Sequence, residues 1–128
     1  MATIVLDTHA LVWWVQSPEL LSPNALAAIE TATRLAVSTI SFWEIALLVR
    51  KERLDVGMPV ASWVEDVCSI DRITPIPMSV RIAVGADALV MHPDPADRFI
   101  VATTQEAMAP LVTRDNALRG LGFVETIW

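Results

Sequence analysis

Cysteine is nearly absent from this chain: Cys68 is the single one in 128 residues. One thiol excludes an internal disulfide and a Cys-rich zinc site, and a reducing cytoplasm is the expected setting. Glycine is scarce, at four residues, and none builds a phosphate-cradling loop. The G-x-G-x-x-G and P-loop patterns are both missing. No apolar run approaches the roughly 18 residues that a membrane span needs; the longest, residues 10–15 and 45–49, stop far short. Asp7 interrupts the apolar N-terminus and no Lys or Arg precedes it, so a signal peptide is not expected. Positive charge is in short supply too. Nine Lys and Arg stand against 15 Asp and Glu, giving a net charge of −6 and a pI of about 4.7. A nucleic-acid binder usually shows a basic face. This balance argues against one, unless divalent cations reverse the field around some of the acids. Nor does any aromatic ladder with interleaved Lys and Arg offer a base-stacking platform.

What remains is apolar and regular. Hydrophobic residues make up 54% and mean hydropathy is +0.50, which excludes a disordered chain. The length suits one domain, residues 1–128, with no linker, repeat or low-complexity segment. Short β-branched and aliphatic runs without alternation read as buried strands at 3–6, 36–39, 74–76, 111–113 and 123–127. Helices are expected between them. One spans 8–15 and ends at Ser17-Pro18. The next runs to 33, capped by Ser22 with Pro23 at its first position. A third, capped by Ser41, runs to 51. Others cover 60–70, 79–90, 95–107 and a short turn at 116–119. Strands separated by helices mean βαβ units. The expected fold is therefore α/β, with a mostly parallel sheet and helices on both faces.

Four acids fall at equivalent places in that alternation. Asp7 closes the first strand, Glu44 follows the second, Asp97 opens the helix after Pro95, and Asp115 follows the run 111–113. In an open parallel sheet all four lie in the crevice beyond the carboxyl ends of the strands. Carboxylates gathered there stay ionised together only around a cation. Oxygen-only ligands select a hard ion such as Mg²⁺ or Mn²⁺, and such an ion with open positions suits phosphoryl chemistry.

Each acid also has a plainer reading. Asp7 is placed to cap the first helix and Asp115 the turn 116–119. Ser41-Phe-Trp-Glu44 fits a capping box. Asp94 caps the helix that Pro95 begins, which leaves Asp97 only dipole stabilisation as a structural task. Arg98 and Arg114 flank the acids, with three roles open: a substrate phosphate, a carboxylate, or an ordinary ion pair. His9 and His92 lack metal-ligand spacing and read as structural or surface residues. Thr8, Ser41, Thr113 and Asn116 are placed either to orient water or carboxylates, or to cap helices. Trp13 and Trp14 are adjacent on one helix and cannot share a core face; Trp43 and Trp63 read as core or subunit interface.

Four segments in this order resemble the PIN-domain nucleases, and among them the VapC-type toxins of toxin–antitoxin pairs. They are Ile4-Val-Leu-Asp7-Thr-His-Ala-Leu, Ser38-Thr-Ile-Ser-Phe-Trp-Glu44-Ile-Ala, His92-Pro-Asp-Pro-Ala-Asp97-Arg-Phe-Ile-Val-Ala and Leu111-Val-Thr-Arg-Asp115. The resemblance implies a three-layer α/β/α domain and a Mg²⁺- or Mn²⁺-dependent endoribonuclease. It places the family's acids on Asp7, Glu44, Asp97 and the more variable Asp115, as metal ligands and catalytic residues. Asp94 belongs to the motif without being a ligand. An RNA substrate, a homodimer and an inhibitory antitoxin are also implied, the antitoxin laying a helix in an apolar groove. Trp13, Trp14 and the face Ile45, Leu48, Val49 suit that groove. Two other classes compete. A phosphohydrolase or phospho-acceptor domain would use Asp7 as nucleophile, but His9 stands where a dehalogenase-like enzyme needs an acid, and no late Lys suits a receiver. A catalytically inactive module of the same fold would not require all four acids.

Overall fold

Residues 2–128 are described by the computed structural model. Five strands form one parallel sheet: β1 (Thr3–Leu6), β2 (Arg34–Ser38), β3 (Ile73–Ile76), β4 (Leu111–Val112) and β5 (Thr126–Ile127), in the order β3-β2-β1-β4-β5. Seven α-helices connect them among the described residues: α1 (Thr8–Gln16), α2 (Pro23–Thr31), α3 (Thr39–Arg50), α4 (Val60–Cys68), α5 (Val80–Ala88), α6 (Pro95–Ala107) and α7 (Asn116–Arg119). A 3₁₀ turn, Pro18–Leu20, follows α1. None of the described helices is long and apolar enough to cross a membrane.

The strands alternate their buried side chains between two layers, as the two-residue period of a strand requires. Ile4, Leu6, Leu35, Val37 and Val112 meet Leu11, Ile29, Ile45, Trp63 and Val67 on one face. Val5, Ala36 and Leu111 meet Ile100, Val101 and Leu118 on the other. Helix α5 packs on the outside of α6 through Ile82, Ala86 and Ala102. This is the three-layer α/β/α arrangement expected from the sequence.

The helix starts follow from their caps. Ser22 accepts from the Ala25 amide and Ser79 from Ile82, each closing the first turn of a helix. Asp94 accepts from Ala96, with Pro95 at the first helical position. The third helix differs from expectation. It begins at Thr39, not after Ser41, and its cap is Ser38, whose hydroxyl accepts from Ile40. Parallel pairing with β3 carries β2 through Ser38↔Ile76, so sheet passes into helix without a loop. Ser41 is thereby drawn inside, where its oxygen accepts from the Thr8 hydroxyl at 3.1 Å. No capping box forms, and Glu44 sits beyond the first turn of α3. The last strand is also shorter than the expected 123–127, because pairing with the two-residue β4 limits it to Thr126–Ile127. Smaller differences trim the ends: α2 stops at Thr31, α4 at Cys68 and α5 at Ala88, and Thr113 lies outside β4.

From β1 the chain builds outward to β2 and β3, then returns to the other side of β1 for β4 and β5. Connections leave β1 and β4 in opposite directions. Their carboxyl ends therefore open a crevice at the point where the order reverses.

Candidate metal centre

That crevice is a pocket of about 420 Å³, lined by Asp7, Thr8, His9, Trp13, Glu44, Asp94, Asp97, Ile100, Arg114 and Asp115. Four separate segments deliver its acids. Asp7 stands between β1 and α1, and its Oδ1 accepts from the Ala10 amide at 2.8 Å. Glu44 projects from α3 and Asp97 from the first turn of α6. Asp115 follows β4 and caps α7 through the Ala117 amide at 2.8 Å. All four acids singled out from the sequence thus line one cavity, with Asp94 at its margin.

Electrostatics separate them. Asp7 is buried, and its carboxyl is raised above the ordinary value chiefly by loss of solvent. The Thr113 hydroxyl, the Ala10 amide and His9 pull it back down, while Glu44 pushes it up. Asp97 is pushed up to about 7, first by burial and then by repulsion from Asp94, Asp115, Glu44 and Asp7. One carboxylate therefore feels every other acid of the pocket. A cation placed among them would remove both causes, by solvating the charge and cancelling the repulsion. The donors are all oxygen, the chemistry of a hard ion. Among the described residues, no three His, Cys, Asp or Glu side chains are already gathered into a closed cage. The acids line the pocket as separate groups, and completing a shell requires them to draw inward.

Several neighbours take roles that the sequence left open or misread. Arg98 is not among the residues lining the acid pocket, and its hydrogen bonds go to no acidic side chain. It donates to the carbonyls of Ala86, Leu89, Met91 and His92, at 2.8 to 3.1 Å, and so pins the segment leading into α6. Arg114 does line the pocket, and its guanidinium lies 5.8 Å from the centre of the Trp13 ring. Trp13 also meets His9 and Trp128, at 5.7 and 5.8 Å between ring centres. Trp14 is instead covered by Arg72 at 6.0 Å. Trp63 is core, whereas Trp43 is 56% exposed and so no core residue. His92, expected as a structural or surface residue, has its Nε2 3.6 Å from Asp97 Oδ2. The chain turns between them at the Pro93–Pro95 segment, a proximity that spacing alone does not disclose.

Beside the acid pocket runs a second cavity of about 440 Å³, lined by Thr8, His9, Val12, Trp13, Leu48, Arg53 and Leu54. It lies between α1 and the end of α3 and shares Thr8, His9 and Trp13 with the first. Of the expected groove residues, Trp13 and Leu48 line it, Trp14 and Val49 are not among its lining residues, and Ile45 is fully buried in the core.

Comparison with known proteins agrees with this architecture. Residues 4–124 match the PIN domain family. Ribonuclease VapC22 of Mycobacterium tuberculosis is 41% identical over 119 residues, spanning 93% of this chain and 92% of that protein. Two solved structures share the fold at lower identity. One is VapBC2 from Rickettsia felis bound to a promoter DNA fragment, with TM-score 0.69, 16% identity and coverage of 98% and 97% of the two chains. The other is a toxin–antitoxin complex from Klebsiella pneumoniae, with TM-score 0.66, 20% identity and coverage of 93% and 92%.

Proposed function

This chain belongs to the PIN domain family, among its VapC-type members, and from that premise we propose that it is a Mg²⁺- or Mn²⁺-dependent endoribonuclease, the toxin of a toxin–antitoxin pair. One observation carries the reading: Asp7, Glu44, Asp97 and Asp115, from four segments, line a single pocket in which Asp97 is raised to about 7 by burial and by the other acids.

Asp7, which is buried, and Asp97, on which the other acids of the pocket converge, would hold the ion directly. Glu44 and Asp115 complete its surroundings, through water or a second ion. When bound, the ion supplies a water of lowered pKa and offsets negative charge on the phosphodiester. Arg114, which lines the pocket, would meet a neighbouring phosphate of the RNA. That local cation, together with the ion, answers the overall charge of −6. The Thr113 hydroxyl beside Asp7 and the Thr8–Ser41 pair hold the floor of the site in place.

The groove beside the pocket suits the apolar face of an antitoxin helix, because Val12, Leu48 and Leu54 offer aliphatic contacts and the groove leads to the acids through His9 and Trp13. Exposed Val80 and Val84 on α5 offer a face for a homodimer. An RNA substrate places the work in the cytoplasm. The test is incubation with total cellular RNA and Mn²⁺, followed by mapping of the cut ends, with Glu44→Ala as control. Discrete cuts bearing 5′-phosphates, lost in the variant, are expected. Intact RNA with the parent protein, or equal cutting by Glu44→Ala, contradicts the proposal.

A further inference from the structure

Beside the acid pocket, one guanidinium organises the chain that precedes α6. Arg98 Nε donates to the His92 carbonyl at 3.1 Å and Nη2 to Met91 at 2.8 Å, while Nη1 reaches Ala86 at 3.0 Å and Leu89 at 3.1 Å. Arg98 follows Asp97 directly on α6. The fork therefore ties the backbone of His92 to the helical turn that carries Asp97, and the two side chains are held side by side.

The imidazole of His92 is unsettled within that rigid frame. Its Nε2 is buried and has no hydrogen-bond partner among the described residues. Burying a polar atom unpaired is unfavourable, and native interiors rarely leave one so. The facing acceptor is Asp97 Oδ2, at 3.6 Å. That is too long for a hydrogen bond, yet a small rotation of either side chain closes it. Asp97 has its own indeterminacy: the terminal torsion of a carboxylate is broad and two-fold. A donor on one oxygen removes it.

We infer that His92 is a positioning residue for Asp97: its Nε2–H donates to Oδ2 and turns the other carboxylate oxygen toward the pocket. The assignment rests on the reading of that pocket as a divalent-cation site. It requires the proton on Nε2, since a bare nitrogen would set a lone pair against the carboxylate. Ligating carboxylates elsewhere depend on such supporting hydrogen bonds, and losing one weakens metal binding by roughly ten- to hundredfold.

Calorimetric titration of the full chain with Mn²⁺ tests this, using His92→Leu, which keeps volume without a donor, and His92→Gln, whose Nε2 reaches a similar point. The expected result is Mn²⁺ affinity lowered roughly tenfold or more in His92→Leu and largely recovered in His92→Gln. In RNA cleavage at saturating Mn²⁺, kcat should fall while KM changes little. Should the Leu variant not fold, His92→Asn, whose amide is too short to reach, takes its place. Parent-like Mn²⁺ affinity in His92→Leu overturns the inference alone. Equal losses in Leu and Gln overturn it as well, because the donor is then not the cause. A parent protein that binds no Mn²⁺ overturns the cation-site reading, and this assignment with it.

Discussion

Helices α1 and α6 both begin with an aspartate cap and both send an aspartate into the same pocket, but they divide the labour differently. At α1 a single residue does both: Asp7 caps through the Ala10 amide and also lines the pocket. At α6 the tasks are split, since Asp94 caps through Ala96 while Asp97 makes no hydrogen bond within its own turn. The amide that Asp7 binds helps to hold its carboxyl down against burial. Asp97 has no such support and is raised to about 7. A carboxylate that also caps a helix is partly compensated in place. One freed from capping meets its burial and repulsion without that compensation.

The largest effect that probes this contrast is on activity. Asp7→Asn and Asp97→Asn should each lower RNA cleavage in Mn²⁺ by more than roughly a hundredfold, beyond what removal of a merely supporting group does. Asp94→Asn, which keeps the cap, should stay within about tenfold of the parent. Initial rates on one RNA substrate check all three, and comparable losses in all three would erase the division.

Stability without metal comes next. At pH 7.5 Asp97→Asn should raise the melting temperature by a few degrees, because it removes a buried charge repelled by four others. A fall on scanning calorimetry would mean that the charge is structurally required.

The pH dependence has a definite sign. Folding raises the Asp97 pKa from its ordinary value of 3.8 to about 7, so the folded state holds the proton more tightly than the unfolded chain. The resulting stability is fully present below about pH 4 and is lost as pH rises through about 7. In a metal-chelating buffer the parent should melt progressively lower from pH 5 to pH 7.5. Asp97→Asn should show a shallower slope, and an unchanged slope would assign the effect to other groups.

The smallest effect isolates the caps. Asp7→Ala should be less stable than Asp7→Asn by about 0.5–2 kcal/mol, and Asp94→Ala less stable than Asp94→Asn by a similar amount. Urea unfolding measures both differences. No difference at Asp7 would mean that its hydrogen bond to Ala10 is incidental.

Much of this was legible in the residues themselves. The bounds of β1, α6 and α7 follow from buried aliphatic runs, Pro95 and the Asp caps. The gathering of the four acids follows from topology, because carboxyl ends of parallel strands share an edge. The start of α3 was not legible. Ser38, Thr39 and Ser41 all offer hydroxyls, and Glu44 three residues after Ser41 imitates a capping box. Pairing of Ser38 with Ile76 in the sheet decided among them, and that is a long-range fact. Arg98 misled for a related reason: its place beside Asp97 suggested a carboxylate or phosphate, while its partners are carbonyls brought round by the packing of α5 on α6.

The most direct measurement is thermal melting of the parent and Asp97→Asn at pH 7.5, each with and without Mn²⁺. A cation site predicts opposite rankings: the variant is the more stable without metal, and Mn²⁺ raises the melting temperature of the parent but scarcely that of the variant. If Mn²⁺ leaves the parent unmoved, or raises both proteins equally, the pocket's acids do not hold a divalent ion.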